Sequence, residues 1–178
     1  MRDRISGIVI GKVVNVVDPQ NQGRVQVTFP WLDEALQSTW ASMVSPFAGA
    51  DRGVYFMPEL NDEVIVAFEH GHFDHAFVLG ATWNGTAAPP SPDPRQRIIR
   101  SKNGHTIRFV DSTPSGGNMG ALTVEDAHGN RVVMTNGVMR ITAQTTLMIE
   151  ADTIVLSGKP VNGTPPWKRP VTPSNNPI

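Results

Sequence analysis

Short runs of alternating apolar and polar residues dominate the chain, and no sustained 3.6-residue periodicity interrupts them. Ile8-Val9-Ile10 and Val13-Val14-Asn15-Val16-Val17 predict a first long strand. Gly11 inside it predicts a bulge or bend. Asp18-Pro19-Gln20-Asn21-Gln22-Gly23 predicts a turn. Arg24-Val25-Gln26-Val27-Thr28-Phe29 predicts a second strand with one face in a core, ended by Pro30. Leu32, Ala35 and Leu36 share a helical face, so 31–38 reads as a turn or two of helix. Trp40 to Val44 predicts a third strand, and 45–62 a long loop. Loops of that length without regular structure are usually functional or covered by a partner. Glu63-Val64-Ile65-Val66-Ala67-Phe68-Glu69 and Ala76-Phe77-Val78-Leu79-Gly80-Ala81-Thr82-Trp83 predict a hairpin, with Gly71 and Asp74 in its connection. Five strands with a long loop before the last pair predict an OB-type barrel over residues 1–85.

Thr86 to Pro94 carries four prolines and predicts a stiff linker. The texture then changes. Gly104 to Phe109, Gly129 to Met134, Val138 to Ala143, Leu147 to Ala151 and Ile154 to Leu156 are quasi-repeats of short strands, with few aromatics. Each has one apolar face and little with which to close a core alone. That pattern, over 95–158, predicts a β-helix or prism whose strands bury their apolar faces against other chains. Residues 159–178 predict an extended Pro-rich tail, with Trp167, Lys168 and Arg169 as candidate contacts to a partner.

Composition narrows the picture. Hydrophobic residues make up 39% of 178, with 16 Gly and 15 Pro, as a turn-rich all-β chain requires. A net charge of -1 provides no basic field for nucleic acid or an anionic membrane. The absence of cysteine excludes disulfides and thiolate chemistry without deciding the compartment. No signal-peptide core and no spanning segment is visible, so folding in the cytoplasm is expected.

Candidate chemistry is sparse. His70, His72 and His75, beside Glu69 and Asp74, have a spacing that zinc would accept, though a solvated turn is the favoured reading. Glu59, Asp62 and Glu63 read as a polar turn opening a strand rather than as acid–base groups. No nucleophile with a positioned base and no phosphate loop is visible. Trp31 and Trp40 lack the interleaved cations of a base-stacking platform and are expected in a core or an interface.

The ordered set Asp18-Pro19, Gly23-Arg24-Val25-Gln26-Val27, Phe29-Pro30-Trp31, Trp40, Pro46, Ala48-Gly49, Gly53, Phe56, Pro58-Glu59, Asp62-Glu63-Val64, Val66, Phe68, Gly71, Val78-Leu79-Gly80 and Asn84-Gly85 resembles the OB domain of contractile-tail spikes. That family includes phage baseplate assembly protein V and the VgrG proteins of type VI secretion. Residues 95–157 are similar in character to the intertwined trimeric β-helix that follows the barrel there. The resemblance implies an all-β homotrimer with five-stranded OB barrels at the base and a β-helix needle driven through a target envelope. It implies no cofactor, no catalysis and no nucleic acid. The linker 86–94 leaves no room for the lysozyme domain that some relatives insert. Few residues precede the first strand, which implies a separate hub protein as the seat. No histidine follows His128, so the family's axial metal apex does not carry over, and a separate PAAR-type tip protein is expected. The inward set of the needle is then Ile141, Leu147, Ile149, Ile154 and Leu156. Assembly in the cytoplasm into a tail or injection particle, ending in a virion baseplate or outside the cell, follows from the same resemblance. An OB module for oligosaccharide or nucleic acid, and a small metallohydrolase using the three histidines, are the competing readings.

Overall fold

The computed structural model describes residues 4–112 and 117–155, of which 33–36 are described by backbone alone. The chain divides into two compact units, residues 1–94 and 95–178. The strands are β1 (Ile8–Asn15), β2 (Arg24–Phe29), β3 (Asp33–Gln37), β4 (Ala41–Met43), β5 (Ala48–Gly49), β6 (Arg52–Gly53), β7 (Glu63–Phe68), β8 (Ala76–Ala81), β9 (Gln96–Arg100), β10 (Thr106–Val110), β11 (Ala121–Glu125), β12 (Arg131–Thr135) and β13 (Val138–Thr142). No α-helix occurs among the described residues.

The first unit is a closed barrel. Its strands run β1-β7-β8-β4-β2, and β2 pairs back to β1. The β4–β8 pair is parallel, with Ser42 opposite Phe77 and Met43 opposite Val78. Alternation along the strands aims Val13, Val25, Val27, Phe29, Val64, Val66, Phe68 and Val78 inward, where all are buried. Phe29, Phe68 and Phe73 close one end, with ring centroids 5.5–5.6 Å apart. Full burial of each large apolar side chain contributes about 1.5–3 kcal/mol.

Three expectations change. Residues 33–37 form β3 on the outer side of β2, with Thr28 opposite Gln37, and not a helix. The end of β2 at Thr28–Phe29, beyond its pairing with β4 at Arg24–Val25, offers a hydrogen-bonding partner that a two-turn helix lacks. The irregularity in β1 falls between Val13 and Asn15 instead of at Gly11. Gly11 serves close packing: a Cβ there would overlap the Val27 Cγ1 methyl and sit 3.1 Å from the Thr28 carbonyl oxygen. The loop 45–62 holds a short ladder, β5 with β6.

The second unit is one antiparallel meander in the order β13-β12-β11-β10-β9. β9 and β11 are strands that the sequence pattern did not single out. Leu147–Ala151 and Ile154–Val155, expected as strands, carry no strand and pair with no strand among the described residues. Leu156 lies outside the described residues, as do Trp167, Lys168 and Arg169.

Candidate assembly surface

Register decides which side chains share a face of the second sheet, because directly opposed residues project to the same side. One row runs Ile99, Ile107, Val124, Val132, Ile141. The next row on that side runs Arg97, Phe109, Leu122, Met134, Met139. Apart from Arg97, which pairs with Asp111 at 2.5 Å, this face is apolar. It is also open: Ile99 is 50% exposed, Phe109 46%, Ile141 54% and Met139 63%. Two clefts, about 720 and 530 Å³, run along it, the first bounded also by Leu147 and Met148.

The reverse face is mainly polar. Its rows are Arg100, Thr106, Glu125, Arg131, Thr142, then Ile98, Arg108, Thr123, Val133, Arg140, then Gln96, Val110, Ala121, Thr135, Val138. Arg108 reaches Glu125 at 3.5 Å, and its Nε is buried without a partner among the described residues. A sheet with one mainly polar face and one contiguous open apolar face is unfinished by itself. Exposed apolar area on this scale marks an interaction surface.

Of the residues singled out from the sequence, Ile141 lies on the apolar face. Leu147, Ile149 and Ile154 are exposed beyond the last strand. Ile99, Ile107, Phe109 and Val124 are central to the face, and sequence reasoning passed over them as individual candidates. Strict alternation in Thr106-Ile107-Arg108-Phe109 carried the signal.

The histidines do not converge. His70 sits at φ 49 in the tight 3₁₀ turn Glu69–Gly71. The His72 and His75 rings lie 6.2 Å apart, and His75 Nδ1 lies 3.3 Å from Glu69 Oε2. Among the described residues, no three His, Cys, Asp or Glu side chains come together in a group able to hold a metal ion.

On the barrel, the turn after β1 is built around Asp18. Its carboxylate accepts hydrogen bonds from the backbone N–H groups of Gln20, Gln22 and Arg24. It also takes a two-pronged pair from the Arg24 guanidinium at 2.9 and 2.8 Å. Arg24 in turn lies over the Trp40 ring, 5.9 Å from its centroid. The Arg24 hydrogen bonds and then the backbone donors hold the Asp18 carboxyl well below the usual carboxylate range, against the opposing effect of its burial. Trp31 is half exposed and donates from Nε1 to the Ile10 carbonyl, so neither tryptophan belongs to the buried core. A groove of about 800 Å³ beside Trp31 is lined by Ile5, Val9, Leu32, Phe73 and Asp74. On the 45–62 loop, Phe47, Tyr55 and Phe56 are exposed. No helix among the described residues is long and apolar enough to cross a membrane.

Residues 9–83, the barrel just described, match the family model of the type VI secretion system/phage-baseplate injector OB domain. The chain is 33% identical over 128 residues to the type VI secretion system spike protein VgrG2a of Pseudomonas aeruginosa, covering 63% of this chain and 15% of that protein. It is 27% identical over 135 residues to the spike protein VgrG3 of Vibrio cholerae, covering 68% of this chain and 12% of that protein. It is 26% identical over 135 residues to the Vibrio cholerae protein named actin cross-linking toxin VgrG1, covering 68% of this chain and 11% of that one. The chain thus spans less than a fifth of the length of each of these relatives. The likeness reaches beyond the barrel into the second unit, since 63% of the 178 residues, about 112, exceeds the 94 of the first. The strand order of the barrel and its match to the injector OB model identify residues 9–83 as an injector OB domain, and the chain is similar to VgrG-like OB-fold spike proteins.

Proposed function

We propose that the chain is the non-enzymatic central spike of a contractile injection machine and works as a homotrimer. The observation that carries this reading is the open apolar face of the five-stranded sheet, backed by a mainly polar face. Three such faces meeting around one axis bury the Ile99–Ile141 and Phe109–Met139 rows and leave the arginines in solvent. Sequestering each large side chain contributes about 1.5–3 kcal/mol, and unfolding any one chain then requires parting all three. Such a trimer is a mechanically resistant needle for crossing a target envelope. Residues 1–85 are the base, 86–94 the linker, 95–158 the needle, and 159–178 the tail. The barrels sit on a separate hub protein, for which exposed Phe47, Tyr55 and Phe56 offer apolar contact area. The tail, with Trp167, Lys168 and Arg169, contacts a PAAR-type tip protein, which covers the open end of the needle. The spike assembles in the cytoplasm and leaves the cell only in the particle.

Sedimentation equilibrium of the purified chain tests the reading. A stable trimer at micromolar concentration is expected, and a monomer overturns it.

A further inference from the structure

The groove of about 800 Å³ on the barrel is bounded by Ile5 and Val9, by Trp31 and Leu32, and by Gln37, Ser38 and Thr39 where β3 runs out. Ile5, Val9 and Phe73 pack against the buried core and also border the groove. Trp31 and Leu32 are half exposed in it. Apolar area therefore stands open beside a well-packed aromatic end of the barrel, where Phe73 meets Phe29 at 5.5 Å.

A strand edge adjoins this groove. β3 ends the order β1-β7-β8-β4-β2-β3 and pairs with β2 alone. Its other side presents backbone N–H and C=O groups with no ladder partner among the described residues. An apolar groove beside an unpaired edge suits strand addition. Backbone hydrogen bonds hold an extended segment, and its alternate side chains enter the groove.

Charge selects the occupant. Residues 1–94 hold five Lys or Arg against eleven Asp or Glu, while residues 95–178 hold ten against five. The net charge of -1 thus conceals an acidic barrel. β3 itself carries Asp33 and Glu34, and Asp74 borders the groove. Two β3 edges laid together would set like charges on neighbouring strands, which disfavours pairing between copies. A strand with Lys or Arg at its ends meets the opposite sign.

We propose that the groove and the β3 edge take up an extended segment of a partner protein, with alternating apolar residues and basic flanks. None of Phe47, Tyr55 and Phe56 lines this groove, so the site is additional to the hub contact. It lies within the barrel and does not depend on the trimeric reading.

The synthetic peptide Lys-Lys-Val-Thr-Val-Thr-Val-Lys-Lys, labelled for fluorescence anisotropy, probes the site in the full chain. Saturable binding is expected at low salt, and glutamate in place of the lysines should weaken it about tenfold. Consecutive residues of a strand turn their N–H groups to opposite sides. N-methylation of one alternating set should therefore abolish binding, and N-methylation of the other set should leave it. Leu32→Ser should weaken binding about tenfold by removing apolar contact. Val17→Ser, at an exposed position outside the groove, should not change it. Absence of saturable binding, equal binding of the glutamate peptide, or equal effects of the two methylated sets overturns the proposal. A fall in the sedimentation mass of the unliganded Leu32→Ser chain shows that a second copy occupies the groove, which also overturns it. A parent chain that sediments as a monomer overturns the trimer alone, because peptide binding is read separately.

Discussion

Asp18 and Gly11 show how single residues set the barrel. Asp18 collects three backbone donors and a guanidinium at a turn that would otherwise leave those N–H groups unpaired. Its carboxyl is depressed in the folded state, so its stabilising contribution is complete above the ordinary carboxylate range, about pH 3.9. That contribution is lost as pH falls from there toward the depressed folded value. Asp18→Asn should therefore lower the melting temperature at pH 7, and the gap to the parent should narrow on acidification below pH 4. Thermal melts at several pH values check this, and a gap independent of pH sinks the account. Gly11→Val should cost about 1–3 kcal/mol, the usual penalty for forcing methyl groups into a packed core, because its Cβ would meet Val27 and the Thr28 carbonyl. Urea denaturation measures that cost, and full stability in the variant would show that the β1–β2 approach is looser than described. His70, His72 and His75 do not converge, so purified protein should contain no stoichiometric zinc or iron by elemental analysis.

At the level of elements, the open apolar face of the second sheet is the feature on which the proposed assembly rests. Ile107→Asp places a carboxylate in the middle of the apolar row between Ile99 and Val124. Three such charges buried together without partners should abolish the trimer. Ile141→Asp, in the same row, should do likewise. Thr123→Asp, on the reverse face between Arg108 and Val133, has a cation beside it and should leave the trimer intact. Sedimentation of the three variants discriminates: equal loss in all, or in none, contradicts the assignment of faces. Much of this was legible. The barrel strands and the alternation of β10, β12 and β13 stand plainly in the residues. β11 escaped notice because Ala121 and Thr123 dilute the apolar signal of Leu122 and Val124. β3 was misread because Leu32, Ala35 and Leu36 satisfy a helical spacing, while the competing partner, the edge of β2, is visible only in three dimensions.

For the whole molecule, the proposed trimer ties stability to association. A homotrimer's melting temperature should rise with protein concentration, since dissociation accompanies unfolding. Differential scanning calorimetry at two concentrations tenfold apart checks this, and an invariant transition argues for independently folded chains. Deleting 159–178 should leave the trimer whole and weaken binding of the tip protein. Full tip binding by the shortened chain would make the tail dispensable.

The sequence by itself determined the strands with clean alternation and the turn at Asp18 to Gly23, because these depend on neighbours a few residues away. Closure did not follow from it. The parallel β4–β8 pair joins Ser42 to Phe77 across more than thirty residues, and nothing local announces such a partner. The tertiary structure alone decided the fate of each apolar face. β2 and β10 both alternate apolar with polar residues, yet Val25 and Val27 are wholly buried while Ile107 and Phe109 are 41% and 46% exposed. The difference is topological: a barrel folds its sheet onto itself and covers its inner face, whereas the five-stranded meander has no second layer among the described residues and leaves its apolar face open.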